Sequence, residues 1–300
     1  AGRRRGRHSF GLDPASHDRM AHRATPTVPT PATLQQLNPV ADPTQLRELA
    51  LAAARLVAPA LRQKAGRTPA EDTKSTLTDM VTAADRWSEE TLVNYLLSQR
   101  PNDGVLGEEG ASVDGTSGVR WIIDPIDGTT NFMYGLTGYT VSIAAEVDGV
   151  LVAGVIVDPA AGDEFAAALG QGATRNEQEI KVRPAPNLTH ALLATGFGYR
   201  PERRVEQAQS LVAVLPQVRD IRRFGGAAYD LASVACGRVD GYFESELNLW
   251  DMAAGLVLVA EAGGVVTDLE GNFPQKDFVL ATTAELHPEL IKLLRSAEYL

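Results

Sequence analysis

The pair Asp148-Gly149, set between two apolar runs at residues 139–147 and 150–157, constrains the fold of this chain most tightly. Asp-Gly favours the left-handed backbone of a two-residue turn, so the flanking runs pair as an antiparallel hairpin. Residues 164–169 and 179–182 continue the meander, and a further strand begins at Val119. Ahead of these strands, Asp42-Pro43 reads as a helix cap with proline at the first helical position. Leu46, Leu49, Ala50, Ala53, Leu56, Val57 and Leu61 follow at helical spacing, and Gly66 closes the helix. A second helix, about 82–99, places Trp87, Leu92, Tyr95 and Leu96 on one face. Past residue 185 the pattern alternates: strands at 191–196, 218–224 and 239–244, each followed or preceded by helices at 203–215, 227–236 and 251–262. Short strands at 265–268 and 278–281 and a helix at 288–297 complete it. The expected class is α+β, in two packed halves, about 42–185 and 186–300, the first mainly antiparallel and the second mixed.

The chemistry lies where one strand ends. Trp121-Ile122-Ile123 runs straight into Asp124 and Asp127, then Gly128-Thr129-Thr130. Carboxylates three apart at a strand end can address one divalent cation or bridge two. Gly128 permits close backbone approach, and the amides behind it can receive an anion. Metal and phosphate sites a few residues apart suit metal-assisted hydrolysis of a phosphate ester. Two more acidic segments join this run: Gly107-Glu108-Glu109-Gly110, and Trp250-Asp251 at the head of an apolar helical stretch. Taken alone, Asp251 reads as a helix cap and Asp85 as a first-turn helix charge.

Composition removes several alternatives. Hydrophobic residues make up 44% of 300, enough for a sizeable core in one large domain or two packed ones. The lone Cys236 excludes an internal disulfide and fits a reducing cytoplasm. No apolar run is long enough to span a bilayer, and the N-terminus shows no apolar signal segment. Residues 1–23 hold six arginines against Asp13 and Asp18, a net +4, so the rest of the −10 chain carries −14. An acidic body argues against nucleic-acid binding and suits a protein that concentrates carboxylates around metals. Residues 1–41, basic and then proline-rich, read as a disordered tail, with Arg3-Arg4-Arg5-Gly6-Arg7 as a possible interaction arm. There is no Walker A pattern. The acids at 124 and 127 are not the two-apart pair of aspartyl-phosphate enzymes. His190 and His287, the histidines outside the tail, lie near no motif, which disfavours histidine-based hydrolysis.

Gly-Glu-Glu, Asp-Pro-Ile-Asp-Gly-Thr-Thr-Asn-Phe, and Trp-Asp followed by Ala-Gly and Glu-Ala-Gly-Gly stand here in one order. Together they resemble the inositol monophosphatase family of magnesium-dependent, lithium-sensitive phosphatases, in its bacterial form, over about residues 42–298. The resemblance implies a layered α-β-α-β-α sandwich and a catalytic domain at 42–300 with its site between the halves. It implies Mg²⁺, two or three ions. Glu108, Asp124 and the Ile126 carbonyl match ligands of one ion; Asp124, Asp127 and Asp251 match those of another. Thr129 and Asp85 match a pair that orients the attacking water, with Glu108 also touching a loosely held third ion. Substrate contacts are implied for Gly128, Thr129, Gly226, Ala227, Glu244 and Lys74, with Asp79 near Lys74. Gly226 stands where the family often has threonine. On their own, Lys74 and Glu244 read as a solvated loop lysine and a polar residue at a strand end.

The expected activity is hydrolysis of inositol 1-phosphate, a small phosphorylated polyol, by metal-activated water in a cytoplasmic homodimer. Histidinol phosphate, fructose 1,6-bisphosphate and 3′-phosphoadenosine nucleotides are alternative substrates of the same chemistry. A regulatory role with the transcription machinery is an alternative of a different class. Because the tail holds little apolar surface and precedes the cap at Asp42, deleting residues 1–38 should leave both melting temperature and phosphatase activity unchanged. A large drop in melting temperature on truncation would show instead that the tail docks.

Overall fold

The structure is a computed structural model that describes residues 41–70, 72–73 and 80–299, with only the backbone described at 72–73 and 80. The tail at 1–40 and the candidate residues Lys74 and Asp79 lie outside the described residues.

Helix α1 (Pro43–Lys64) starts as its sequence dictates: the Asp42 carboxylate accepts the Thr44 amide at 2.9 Å, with proline in the first turn. A small antiparallel pair, β1 (Asp72–Thr73) and β2 (Met80–Val81), leads into α2 (Ala83–Gln99). Thr82 and Asp85 form a reciprocal capping box there.

The first sheet has eight strands. They are β3 (Gly104–Gly107), β4 (Ser112–Val113), β5 (Val119–Asp127), β6 (Thr140–Val147), β7 (Val150–Asp158), β8 (Asp163–Ala168), β9 (Ala173–Arg175) and β10 (Gln178–Ile180). Their spatial order is β10-β9-β8-β7-β6-β5-β3-β4, and among the described residues β3 with β5 is its one parallel pairing. The Asp148-Gly149 turn forms as expected: both residues have positive φ, 49° and 83°, and Val147 pairs with Val150. A short helix, α3 (Thr129–Tyr134), follows β5 directly.

The second sheet has five strands, β11 (Leu192–Thr195), β12 (Asp220–Arg222), β13 (Gly241–Glu244), β14 (Val265–Thr267) and β15 (Val279–Thr282), in the order β12-β11-β13-β15-β14. It is mixed: β11 runs parallel to β12 and β13, while β15 opposes its neighbours. Its helices are α4 (Pro201–Val214), α5 (Ala227–Ala235), α6 (Leu249–Glu261) and α7 (His287–Ser296).

Three apolar clusters define the layers. Trp121, Ile123, Val141, Ile143 and Val155 face α1 and α2. Alternate residues of the same strands, Ile122, Ala144 and Ile156, face α5 and α6. The far side of the second sheet, with Leu193, Phe243 and Leu280, packs against Val214 of α4 and Leu290 and Leu294 of α7. This is the expected α-β-α-β-α order. Helix α6 is apolar nearly all round because it lies between two sheets, with Met252 through Val259 buried.

Sequence patterning missed the short elements. β3 is four residues with a glycine at each end and β4 only two; β9 is three residues with a single buried side chain; α3 is less than two turns. None is long enough to show a period. Ile156 is fully buried between the sheets, so Ile156→Ala should destabilise the protein by about 2–5 kcal/mol. The check is a lower urea midpoint with an unchanged m-value.

Candidate active site

Three acids from three separate segments meet at the junction of the layers. Glu108 follows β3, Asp124 lies near the end of β5, and Asp251 lies in the first turn of α6. Each brings a carboxylate oxygen within 4.8 Å of the other two. Local structure aims them. Asp124 accepts the Ile126 amide at 3.0 Å, in the irregular stretch where β5 breaks register with β6. The Glu108 amide bonds to the Ile123 carbonyl at 3.1 Å, tying its loop to β5. Asp251 accepts the Asn248 amide at 2.6 Å, so it caps α6 and joins the cluster at once.

Asp127 stands beside this cluster with its oxygens already engaged. It accepts the amides of Ala227 at 2.9 Å, Ala228 at 3.1 Å and Tyr229 at 3.3 Å, and the Thr140 hydroxyl at 3.2 Å. It thereby caps α5, whose own N-cap residue, Gly226, has no side chain. A Cβ on Gly226 would lie 2.3 Å from Asp127 Oδ2, so with glycine at the position where the family often has threonine the carboxylate packs directly against the backbone. Ala227 therefore turns its amide to Asp127.

Asp85 and Thr129 are brought together from positions 44 apart. The Thr129 hydroxyl has Asp85 Oδ1 at 3.3 Å and the Ile126 carbonyl at 3.1 Å, while Asp85 Oδ2 takes the Thr82 amide and hydroxyl. Asp85 is thus at once the first-turn acid of α2, in its capping box, and the hydrogen-bond partner of Thr129.

A cleft of about 660 Å³ opens over the cluster, lined by Glu108, Asp127, Gly226, Ala227, Glu244 and Asp251. Asp124, 2% exposed, is buried against them. Gly128, at the head of α3, lines an adjoining hollow that shares the Gly225 and Arg223 wall. Glu244 accepts the Tyr242 hydroxyl at 2.6 Å.

Sequence reasoning missed residues that serve these acids. Thr140 is the β6 partner of Asp127 in register, and Tyr242 lies two residues from Glu244 on the same strand face. Period-2 alternation could have found the second. Ser88 and Glu89 follow Asp85 at helical spacing, but beyond Asp85 only the apolar face of this helix stands out in the sequence.

Burial pushes Asp124 well above the usual carboxylate range, and the charges of Glu108, Asp127 and Asp251 push it further. Asp251 rises for burial first, then for Glu108, against the Asn248 amide. Burial lifts Asp127 to about 7 despite the hydrogen bonds from Tyr229, Thr140 and Ala227. Glu244 is raised by burial and opposed by Tyr242 and Arg223. Crowded, buried, all-oxygen donors of one sign are what a hard divalent cation relieves.

Comparison with known proteins agrees. The inositol monophosphatase family matches residues 42–299. The inositol-1-monophosphatase of Mycobacterium leprae is 45% identical over 210 residues, covering 67% of this chain and 72% of that protein. The Nus factor SuhB of Xylella fastidiosa is 44% identical over 201 residues, 66% of this chain and 73% of that protein. The crystal structure of extragenic suppressor protein suhB from Bartonella henselae superposes with a TM-score of 0.79 at 37% identity, covering 84% of this chain and 98% of that one. Fold, cleft and relatives define an enzyme of the phosphatase class. The chain belongs to the inositol monophosphatase family, a metal-dependent one, and its acidic cluster fits a cation. Among the described residues no helix is long and apolar enough to cross a membrane.

A carboxyl with a raised folded pKa holds its proton more tightly folded than unfolded, so its stabilisation is present at low pH and lost as pH rises. For Asp127 the window runs from about 4, the ordinary value, to about 7. In chelator, the melting temperature should fall between about pH 5 and about pH 7.5, and magnesium should restore it more at the upper end. A chelated protein that grows more stable across that window would contradict the crowding.

Proposed function

We propose that this chain hydrolyses inositol 1-phosphate to inositol and phosphate with magnesium. One observation carries the reading: three acids from separate segments converge at a cleft whose wall also holds a buried, hydroxyl-bonded glutamate, Glu244, and Ile126, whose amide donates to Asp124, accepts at its carbonyl the Thr129 hydroxyl, which also meets Asp85.

Glu108, Asp124 and Asp251 would hold the ions, with Asp127 and the Ile126 carbonyl completing the set. Bound magnesium supplies a lowered pKa for water and positive charge for the ester oxygens. Thr129, its proton directed to Asp85 and the Ile126 carbonyl, keeps its oxygen as an acceptor that orients the attacking water. On this reading water is the nucleophile, and no phospho-enzyme is expected. Glu244, fixed by Tyr242, accepts hydrogen bonds from the polyol hydroxyls. The family resemblance supports lithium inhibition, a homodimer and a cytoplasmic location.

A second reading has its own observation. Arg200, Arg223 and Lys276 line the same cleft, which favours substrates with a second anionic group, such as fructose 1,6-bisphosphate or a 3′-phosphoadenosine nucleotide. Likeness to the Xylella Nus factor supports a transcription-linked role alongside catalysis.

The test is phosphate release from inositol 1-phosphate, histidinol phosphate, fructose 1,6-bisphosphate and an aryl phosphate, with and without magnesium. Glu244→Gln should lower kcat/KM for inositol 1-phosphate by about tenfold or more and leave the aryl phosphate little changed, because a charge-assisted hydrogen bond is worth roughly 1.5–3 kcal/mol. An unchanged ratio removes Glu244 from the substrate site; no magnesium-dependent release from any ester sinks the whole reading.

A further inference from the structure

One face of α2 carries Asp85, Ser88 and Glu89, with relative exposures of 0%, 0% and 6%. Their spacing, one helical turn, puts all three on the side facing the cleft segments. Asp85 takes the Thr129 hydroxyl. Ser88 donates to the Pro125 carbonyl at 3.2 Å, inside the irregular stretch between Asp124 and Asp127. Glu89 reaches the third segment: Oε2 accepts the Glu109 amide and Oε1 the Ala111 amide, each at 2.9 Å. A single helix thus holds the segments that present Thr129, Asp124 and Glu108.

The hold of Glu89 is specific. Its two oxygens bracket the peptide units just after Glu108, in a loop closed by the Gly107 amide on the Ala111 carbonyl at 2.7 Å. A Cβ at position 107 would come 2.1 Å from Glu89 Oε2, so only glycine lets the carboxylate this close. Buried and pushed upward by that burial, Glu89 is pulled back by the two amides it accepts. A carboxylate satisfies both donors; a glutamine would turn its NH₂ toward one of them and leave a buried amide without an acceptor. Glu89 lines a small hollow of about 350 Å³ with Arg86 and Val93 and is not among the residues lining the cleft, so it acts on the cleft indirectly, its direct bonds being to the loop after Glu108.

We propose that Glu89 is a positioning residue that sets the cation affinity of the cleft by fixing the backbone of the Glu108 loop. This rests on the reading of Glu108 as a cation ligand. The experiment uses the full chain and compares wild type with Glu89→Gln and Glu89→Asp. Magnesium binding is measured by titration calorimetry without substrate, and amide hydrogen exchange at Glu109 and Ala111 is measured in chelator. Glu89→Gln should weaken magnesium by about tenfold to a hundredfold, as loss of a partner behind a metal ligand does. Exchange at both amides should accelerate, and the magnesium needed for half-maximal activity should rise more than kcat falls. Glu89→Asp, shorter by one methylene but still charged, should reach one amide and lie between; it serves if the glutamine variant does not fold. Unaltered affinity and exchange in the variants, with normal binding in wild type, overturn the role of Glu89 alone. Wild type that binds no magnesium overturns it together with the cation reading.

Discussion

The carboxylate of Asp127 is the joint on which the two halves turn. It leaves β5 and receives three amides at the head of α5, about a hundred residues further along the chain. Helix α5 begins at glycines and has no side-chain cap of its own. Its leading amides would be buried without acceptors, a cost of about 1–3 kcal/mol each. One distant side chain removes that cost, and in doing so it fixes where the first sheet meets the central helices. Helix α6 packs alongside α5 between the sheets, so the same joint brings Asp251 to Asp124.

That closeness has an electrostatic consequence. Three acids share one small volume, and the raised pKa values of Asp124, Asp127 and Asp251 record both burial and mutual repulsion. Such an arrangement costs folding free energy at neutral pH and is held by hydrogen bonds that serve other purposes. Asp251 is a helix cap, Asp85 half of a capping box, Asp127 a cap for a helix not its own. Each acid is thus held in place by backbone hydrogen bonds, Asp127 at both of its oxygens. The stability cost and the cation affinity are two sides of the same crowding.

Helix α2 extends this economy. Its apolar side packs Leu92 and Leu96 into the core, while Asp85, Ser88 and Glu89 order the cleft segments. Periodicity registered the first side because apolar residues repeat visibly. Of the second side only Asp85 was legible; Ser88 and Glu89 escaped because a serine and a glutamate on a helix look like ordinary solvated residues until the strand and loop they touch are in place.

By itself the sequence determined the α+β class and the division into a mainly antiparallel half and a mixed half, since alternation, helical spacing and an Asp-Gly turn are local patterns; the order of the layers came from the family resemblance. The sequence also marked the acid-bearing segments, because acids at a strand end ahead of Gly-Thr-Thr suit a cation and an anion side by side, and the family resemblance added Thr129 and Asp85; the fold brings Glu108, Asp124 and Asp251 together and puts Thr129 on Asp85. Only the tertiary structure decided how these share their work: that Asp127 caps α5, that Gly226 makes room for it, that Tyr242 holds Glu244 and that Glu89 grips the Glu108 loop. Those relations join residues from about 2 to over 100 positions apart. Where the separation is large, nothing local encodes the contact; it exists only because burial leaves amides that must find an acceptor, and the folded chain supplies one.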